Sequence, residues 1–280
     1  MKKCIKISHE VPISLLKESK NFNDYDYCLV HLLDKYPKYK AFYKDSDREV
    51  ILDNSIFELG EAFNDDELIK HILDINPTWY ILPDVLEDCD GTIARAKAFL
   101  KKAEKFNIIS KPIGVVQGKT IEEIIKCHDF MDKELNVEKI AFSFDYSLYE
   151  TMCEELNDSS GYPFNKFDDW MFGRFTMFER LIEEKVINYD KKYHLLGCAL
   201  PQEGVYYKIM HKGDEDKYRF IDSIDTSSPI VHGIKGIKYS EYGLKTKESI
   251  KLVDLLEEDI QLNDIINYNI DKFRKFWNNK

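Results

Sequence analysis

No Cys-x-x-Cys spacing occurs in this chain. Its six cysteines, Cys4, Cys28, Cys89, Cys127, Cys153 and Cys198, are scattered, which suits reduced thiols and excludes a disulfide framework or a cysteine-built zinc site. No apolar run approaches the ~18 residues that span a bilayer. The opening MKKCIKISHE has lysines but no apolar core of ~7–15 residues behind them, so it is not a secretory signal. A cytoplasmic protein with no membrane partner is the expectation. Glycine and proline are scarce, 12 and 8 among 280 residues, and leave no linker, so a single domain over 1–280 is expected. Positive charge is short too. At a net charge of −11 the whole-molecule field repels phosphate, and any nucleic-acid contact has to be local. Lys97–Lys105 and Lys235–Lys247 are the tracts able to supply one. Dinucleotide, P-loop, zinc-protease and nucleophile-elbow motifs are missing, and no His-x-His cluster ends an apolar run.

What the chain does have is rhythm. Apolar residues make up 44% of it and charged residues 32%, the balance of a folded protein with a large core. Tyr27–Leu33, Glu49–Asp53, Trp79–Pro83, Pro112–Gln117, Lys139–Phe144, His194–Cys198 and Tyr218–Asp225 read as strands. Between them run helical patterns: Asp65–Ile75 behind an Asn64 cap, Thr92–Phe106, a segment capped by Thr120 with Glu123 three residues on, Phe172–Val186 and Pro201–His211. Residues 1–26 are weakly patterned and read as a capping segment. Residues 147–170 break the rhythm after the fifth strand and read as an insertion over one mouth of the fold; 247–258 and 262–277 read as closing helices. Strand–helix alternation predicts a parallel sheet, and this many units predict an α/β fold of the TIM type, a (β/α)8 barrel.

In that fold the chemistry gathers where strands end. Those ends supply Asp53, Asp84, Gln117, Ser143 to Asp145, Gly197 and Asp225. Within RFIDSIDTSSP, Asp222 and Asp225 are three residues apart near the end of an apolar run. Either one is the candidate nucleophile, and the other, or Asp225 itself, serves the turn before Pro229. Two carboxylates also suit a hydrolase acting on a sugar or nucleoside.

With these positions lined up, the chain resembles the tRNA-guanine transglycosylase superfamily, and within it the shorter phage and bacterial relatives that insert 7-deazaguanines, the base class of queuosine, into DNA. The resemblance rests on LDNSIFE (52–58), LPD (82–84), GVVQGK (114–119), HLLGCALP (194–201) and SIDTSSP (223–229), and covers roughly residues 27–240. It implies a pentosyltransferase in which a carboxylate attacks C1′ of a guanosine, guanine leaves, and an incoming base displaces the enzyme. Asp225 matches the nucleophile and Asp53 the second, acid/base carboxylate. Asp84 and Gln117 match the residues that read the base edge, Phe57 and Leu196 the pair that sandwiches the ring, and Gly197 a backbone contact. The implied partners are a polynucleotide (DNA or tRNA) and a free 7-deazaguanine, and no cofactor is implied; a homodimer is left open, because the sequence does not give the oligomeric state. Aromatics of the insertion (Tyr149, Tyr162, Phe164, Phe167, Trp170) either hold the strand or form that subdomain's core.

The chain departs from the tRNA enzymes in three ways. It has no Cys-x-Cys-x-x-Cys element, so no metal is expected. Ser55-Ile56 replaces their glycine pair, and Glu58 stands where a Gln is usual. Their arginines after the nucleophile are replaced by His232, Lys235 and Lys238 as the nearby cations. These differences favour DNA over tRNA. A barrel that binds a modified base without chemistry, and a nucleoside or N-glycoside hydrolase, remain the alternatives.

Overall fold

The computed structural model describes residues 4–61, 63–160, 163–209, 217–248 and 251–278. Its strands are β1 (Lys6–His9), β2 (Asp26–Leu29), β3 (Val50–Asp53), β4 (Trp79–Ile81), β5 (Lys111–Val116), β6 (Lys139–Phe142), β7 (Lys192–Leu195) and β8 (Ile221–Thr226). The helices are α1 (Leu16–Ser19), α2 (Pro37–Lys44), α3 (Ile56–Leu59), α4 (Asp65–Ile75), α5 (Cys89–Ala103), α6 (Ile121–Asp129), α7 (Leu148–Ser160), α8 (Lys166–Glu183), α9 (Glu203–Ile209), α10 (Ser228–Ile234) and α11 (Asp264–Trp277). At least one helix follows every strand, and the eight strands are ordered β1-β8-β7-β6-β5-β4-β3-β2 in one sheet. The ladders β1–β8, β2–β3, β3–β4, β4–β5 and β5–β6 are parallel. This is the (β/α)8 barrel class that the rhythm predicts. No helix among the described residues is long and apolar enough to cross a membrane.

The chain forms two compact units. One comprises 25–142 with 191–194, the other 1–24, 143–190 and 195–280. In the first, β2, β3 and β6 are buried at every position, as strands covered on both faces must be. Its α4 starts where Asn64 accepts from the backbone N–H of Asp66 and Glu67, and Asp65, Asp66 and Glu67 set negative charge against the helix dipole. At the strand starts, the ammonium groups of Lys111, Lys139 and Lys192 lie 5.6, 4.8 and 5.6 Å from the Trp79 ring centroid. Glu49 accepts from the Trp79 indole N–H at 3.0 Å, which fastens this end of the unit.

In the second unit all six residues of β8 are buried, and Ser8 and His9 of β1 pair with Asp225 and Thr226. The far edge of β1 is met by side chains: Asp24 accepts from Ile7 N–H at 2.9 Å, and Asn23 both accepts from His9 N–H and donates to His9 C=O. In the first unit, the Tyr39 hydroxyl accepts from Leu29 N–H of β2 and the Tyr43 hydroxyl donates to Tyr27 C=O.

Four readings of the sequence need correction. Residues 6–9 form β1, which Lys6 and Ser8 disguise by breaking the apolar run. The expected insertion is largely helix α7, because the turn-forming Asn157-Asp158-Ser159-Ser160 sits in that helix's last turn. β8 ends at Thr226 as the turn chemistry before Pro229 implies, but Ser228 and Pro229 already belong to the first turn of α10, where a proline loses no hydrogen bond. Among the described residues of the first closing segment, 247–248 and 251–258, the helical structure is a 3₁₀ turn, Leu252–Leu255, which is enough to bury Leu252, Leu255 and Leu256.

Candidate functional site

In the first unit the chain leaves β3 through Asp53, Asn54 and Ser55. Asp53 is its last strand residue, and both its oxygens are engaged: Oδ1 accepts from the Tyr27 hydroxyl at 2.9 Å and Oδ2 from Ser55 N–H at 2.7 Å. Ser55 has φ 58°, a left-handed conformation uncommon for a residue with a side chain, held by this turn. Asn54 donates to Leu82 C=O at 2.8 Å and to Asp84 Oδ1 at 2.7 Å, tying this turn to the one after β4. Gln117 follows β5. Its amide N–H donates to Asp84 Oδ2 at 2.6 Å, while its carbonyl accepts from Glu87 N–H at 2.9 Å, which fixes the amide's orientation. Asp84 and Gln117 are 2% and 1% exposed, a carboxylate and a carboxamide buried in contact.

Burial raises the Asp84 carboxyl to about 6, against the hydrogen bonds from Gln117 and Asn54, which favour the charged form. Folding therefore favours the protonated acid. The associated stability is full below the unfolded value of ~4 and is lost as pH rises through about 6. Phe57, on α3, is 52% exposed.

In the second unit Asp225 is one residue from the end of β8, and its Oδ1 accepts from Gly197 N–H at 3.1 Å. Gly197 has φ 64°, and a Cβ there would stand 2.5 Å from the Phe144 ring. Only glycine allows this approach. Asp222 lies at the second position of β8, and the odd spacing puts its side chain on the opposite face of the strand from that of Asp225. Leu196 is half-buried. Its carbonyl and that of Gly197 accept from the Arg174 guanidinium, each at 3.0 Å. Ser143 donates to Asp145 at 2.6 Å and serves a local turn.

Four residues join this set that the reading of strand ends passed over: Asn54 and Tyr27 in the first unit, Arg174 and Lys247 in the second; Phe144 lies inside the strand end 143–145 that the reading did include. Arg174 was discoverable, because it occupies the apolar face of α8 with Met171, Met177, Phe178 and Leu181. The Lys247 ammonium sits 5.5 Å from the Phe144 ring centroid, and burial lowers its affinity for the proton against the opposing pull of Glu10. His232, expected as a cation, is buried, and desolvation moves its pKa below the usual value. Lys235 and Lys238 are exposed. Of the aromatics assigned to the insertion, Tyr149 is fully buried and Phe167 and Trp170 pack around Phe144, so these are core; Tyr162 lies outside the described residues.

One group among the described residues has the make-up of metal ligands: Asp34, Glu67 and His71, with ligand atoms within 4.8 Å of one another. His71 Nε2 is already bonded to Asp34 at 3.1 Å and Glu67 to Lys70 at 3.0 Å. A metal on Nε2 would put the proton on Nδ1, which is buried without a partner. The local ion pairs account for the group.

No protein-family model matches the chain, and a search of the curated proteins finds no match.

Proposed function

We propose that the chain is a pentosyltransferase of the guanine-transglycosylase type, working in the cytoplasm, that exchanges guanine for a 7-deazaguanine derivative in a polynucleotide, with DNA ahead of tRNA. The observation that carries this reading is the buried Asp84–Gln117 pair. A carboxylate accepts from the N1–H and amino group of guanine. An amide nitrogen has two N–H donors, of which the Asp84 bond uses one, leaving the second for O6.

In the proposed reaction a carboxylate oxygen of Asp225 attacks C1′; the C–O bond forms as the C1′–N9 bond breaks, and Asp53 gives its proton to the departing base. The incoming base returns a proton to Asp53, and its N9 displaces the Asp225 ester, regenerating both groups. Dividing the exchange in two replaces one hard displacement by two easier ones. The Tyr27 hydroxyl beside Asp53 can turn from donor to acceptor as that proton comes and goes.

Labelled guanine incubated with duplex DNA or tRNA tests the activity directly: incorporation supports the reading, release of free base without incorporation points to a hydrolase, and neither outcome points to a binding barrel. Asp84→Ala and Gln117→Ala are expected to reduce the preference for guanine over adenine by about 1–3 kcal/mol each, because a wrong base leaves buried polar groups unpaired. Competition between the two labelled bases measures this, and an unchanged preference in both variants sinks the assignment.

A pH dependence follows as well. Asp84 must be ionised to accept from guanine, so kcat/KM is expected to rise with pH through about 6. A profile flat from about pH 5 to pH 8 would contradict that role.

A further inference from the structure

The Arg174 guanidinium is wholly buried at the centre of α8. Its Nε–H and one Nη2–H donate to the two oxygens of Glu203, both at 2.7 Å, and Glu203 also accepts from the Tyr207 hydroxyl at 3.1 Å. An ion pair so deeply buried is weak evidence for stability, since well-packed apolar residues of similar volume often do as well or better. Its other donors have a more specific destination. They reach two successive carbonyls, Leu196 and Gly197, each at 3.0 Å.

The Leu196 carbonyl and the Gly197 N–H belong to one peptide group. That group is planar and trans, so fixing the direction of its oxygen fixes the opposite direction of its hydrogen. Arg174 holds the oxygen, and Asp225 Oδ1 receives the hydrogen at 3.1 Å. The glycine has no side chain of its own to hold this conformation at φ 64°.

We propose that Arg174 is a positioning residue for Asp225: with Glu203 as its anchor, it aims the Gly197 N–H at one oxygen of the carboxylate and thereby sets which oxygen meets the sugar. The same donor stabilises the carboxylate when it departs in the second displacement. This inference rests on the transglycosylase reading for its catalytic consequence, but the aiming of the peptide group does not.

The test compares wild-type protein with R174K, which keeps the charge opposite Glu203 but lacks the planar fork, and with the double variant R174M/E203M, which replaces the pair by apolar volume and restores packing. In ¹⁵N-glycine-labelled protein, the Gly197 amide is expected to lose its hydrogen-exchange protection in both variants, and its shift is expected to stop responding to Asp225→Asn. Base-exchange kcat is expected to fall by about 10²-fold with KM nearly unchanged, the scale of a misplaced reacting group. A purely structural role predicts that the double variant recovers both kcat and Gly197 protection along with its stability, and that result overturns the proposal. If wild-type protein exchanges no base on any polynucleotide, the transglycosylase reading fails, and the amide readout decides the positioning role by itself: lost protection supports it and retained protection overturns it.

Discussion

Asparagine in place of Asp225 is expected to reduce base exchange by ~10⁴-fold or more, the scale seen when the nucleophile of a covalent mechanism is removed. An amide oxygen is a poor nucleophile and brings no negative charge to the developing positive charge on the sugar. Folding is expected to be nearly untouched, because asparagine keeps an oxygen for the Gly197 N–H. Asp222→Asn is the control: that residue sits on the other face of β8, at its start, and exchange is expected to survive its loss. Trapping with substrate is expected to leave the covalent adduct on a peptide bearing Asp225. Full activity in Asp225→Asn would refute the mechanism, and an adduct localised to Asp222 would move the nucleophile by three residues.

The largest effect on stability is expected at Gly173, where α8 crosses α7. A Cβ there would lie 2.3 Å from Tyr149 Cβ and 2.5 Å from both its Cα and its carbonyl oxygen. Two of these atoms belong to the backbone, so relief requires the helices to part. Gly173→Ala is expected to cost about 3 kcal/mol, the upper part of the usual range for overpacking. Gly60 provides the contrast. Its φ is 78° but nothing lies within 4 Å of the site, so Gly60→Ala carries only the left-handed backbone penalty of about 1–2 kcal/mol. Urea denaturation of both variants measures the difference, and equal midpoints would show that α7 and α8 separate at little cost.

The barrel was legible because parallel strands buried on both faces appear as short apolar runs, and these alternate with helices that announce their starts. Asn64 and Thr120 cap α4 and α6 where the sequence places them. β1 was not legible: four residues with a lysine and a serine among them carry little periodicity, and its place depends on pairing with β8, more than 200 residues away. Asp53, Asp84, Gln117 and Asp225 could be chosen as candidates because strand ends can be located in the sequence. The apolar face of α8 marks Arg174 as unusual but does not mark it as part of the site. It lies in the middle of a helix, and only folding brings it to the carbonyls of residues 22 and 23 positions further along. Lys247 was marked only as the end of the basic tract 235–247; its place beside the Phe144 ring depends on folding.

The side chains that meet β1 and β2 have a bearing on assembly. An uncovered strand edge invites a foreign strand to extend the sheet, the shortest route to aggregation and a common one to dimers. Here Asn23 and Asp24 occupy the backbone groups that β1 turns away from β8, and Tyr39 and Tyr43 occupy those that β2 turns away from β3. Apart from the Ile7 carbonyl, which accepts from Asp24 N–H, side chains satisfy these groups without presenting a further row of N–H and C=O for another chain to copy. Any homodimer of this protein is therefore expected to join through helix or loop surfaces, and Asn23→Ala or Tyr43→Phe would be where a tendency to polymerise first emerged.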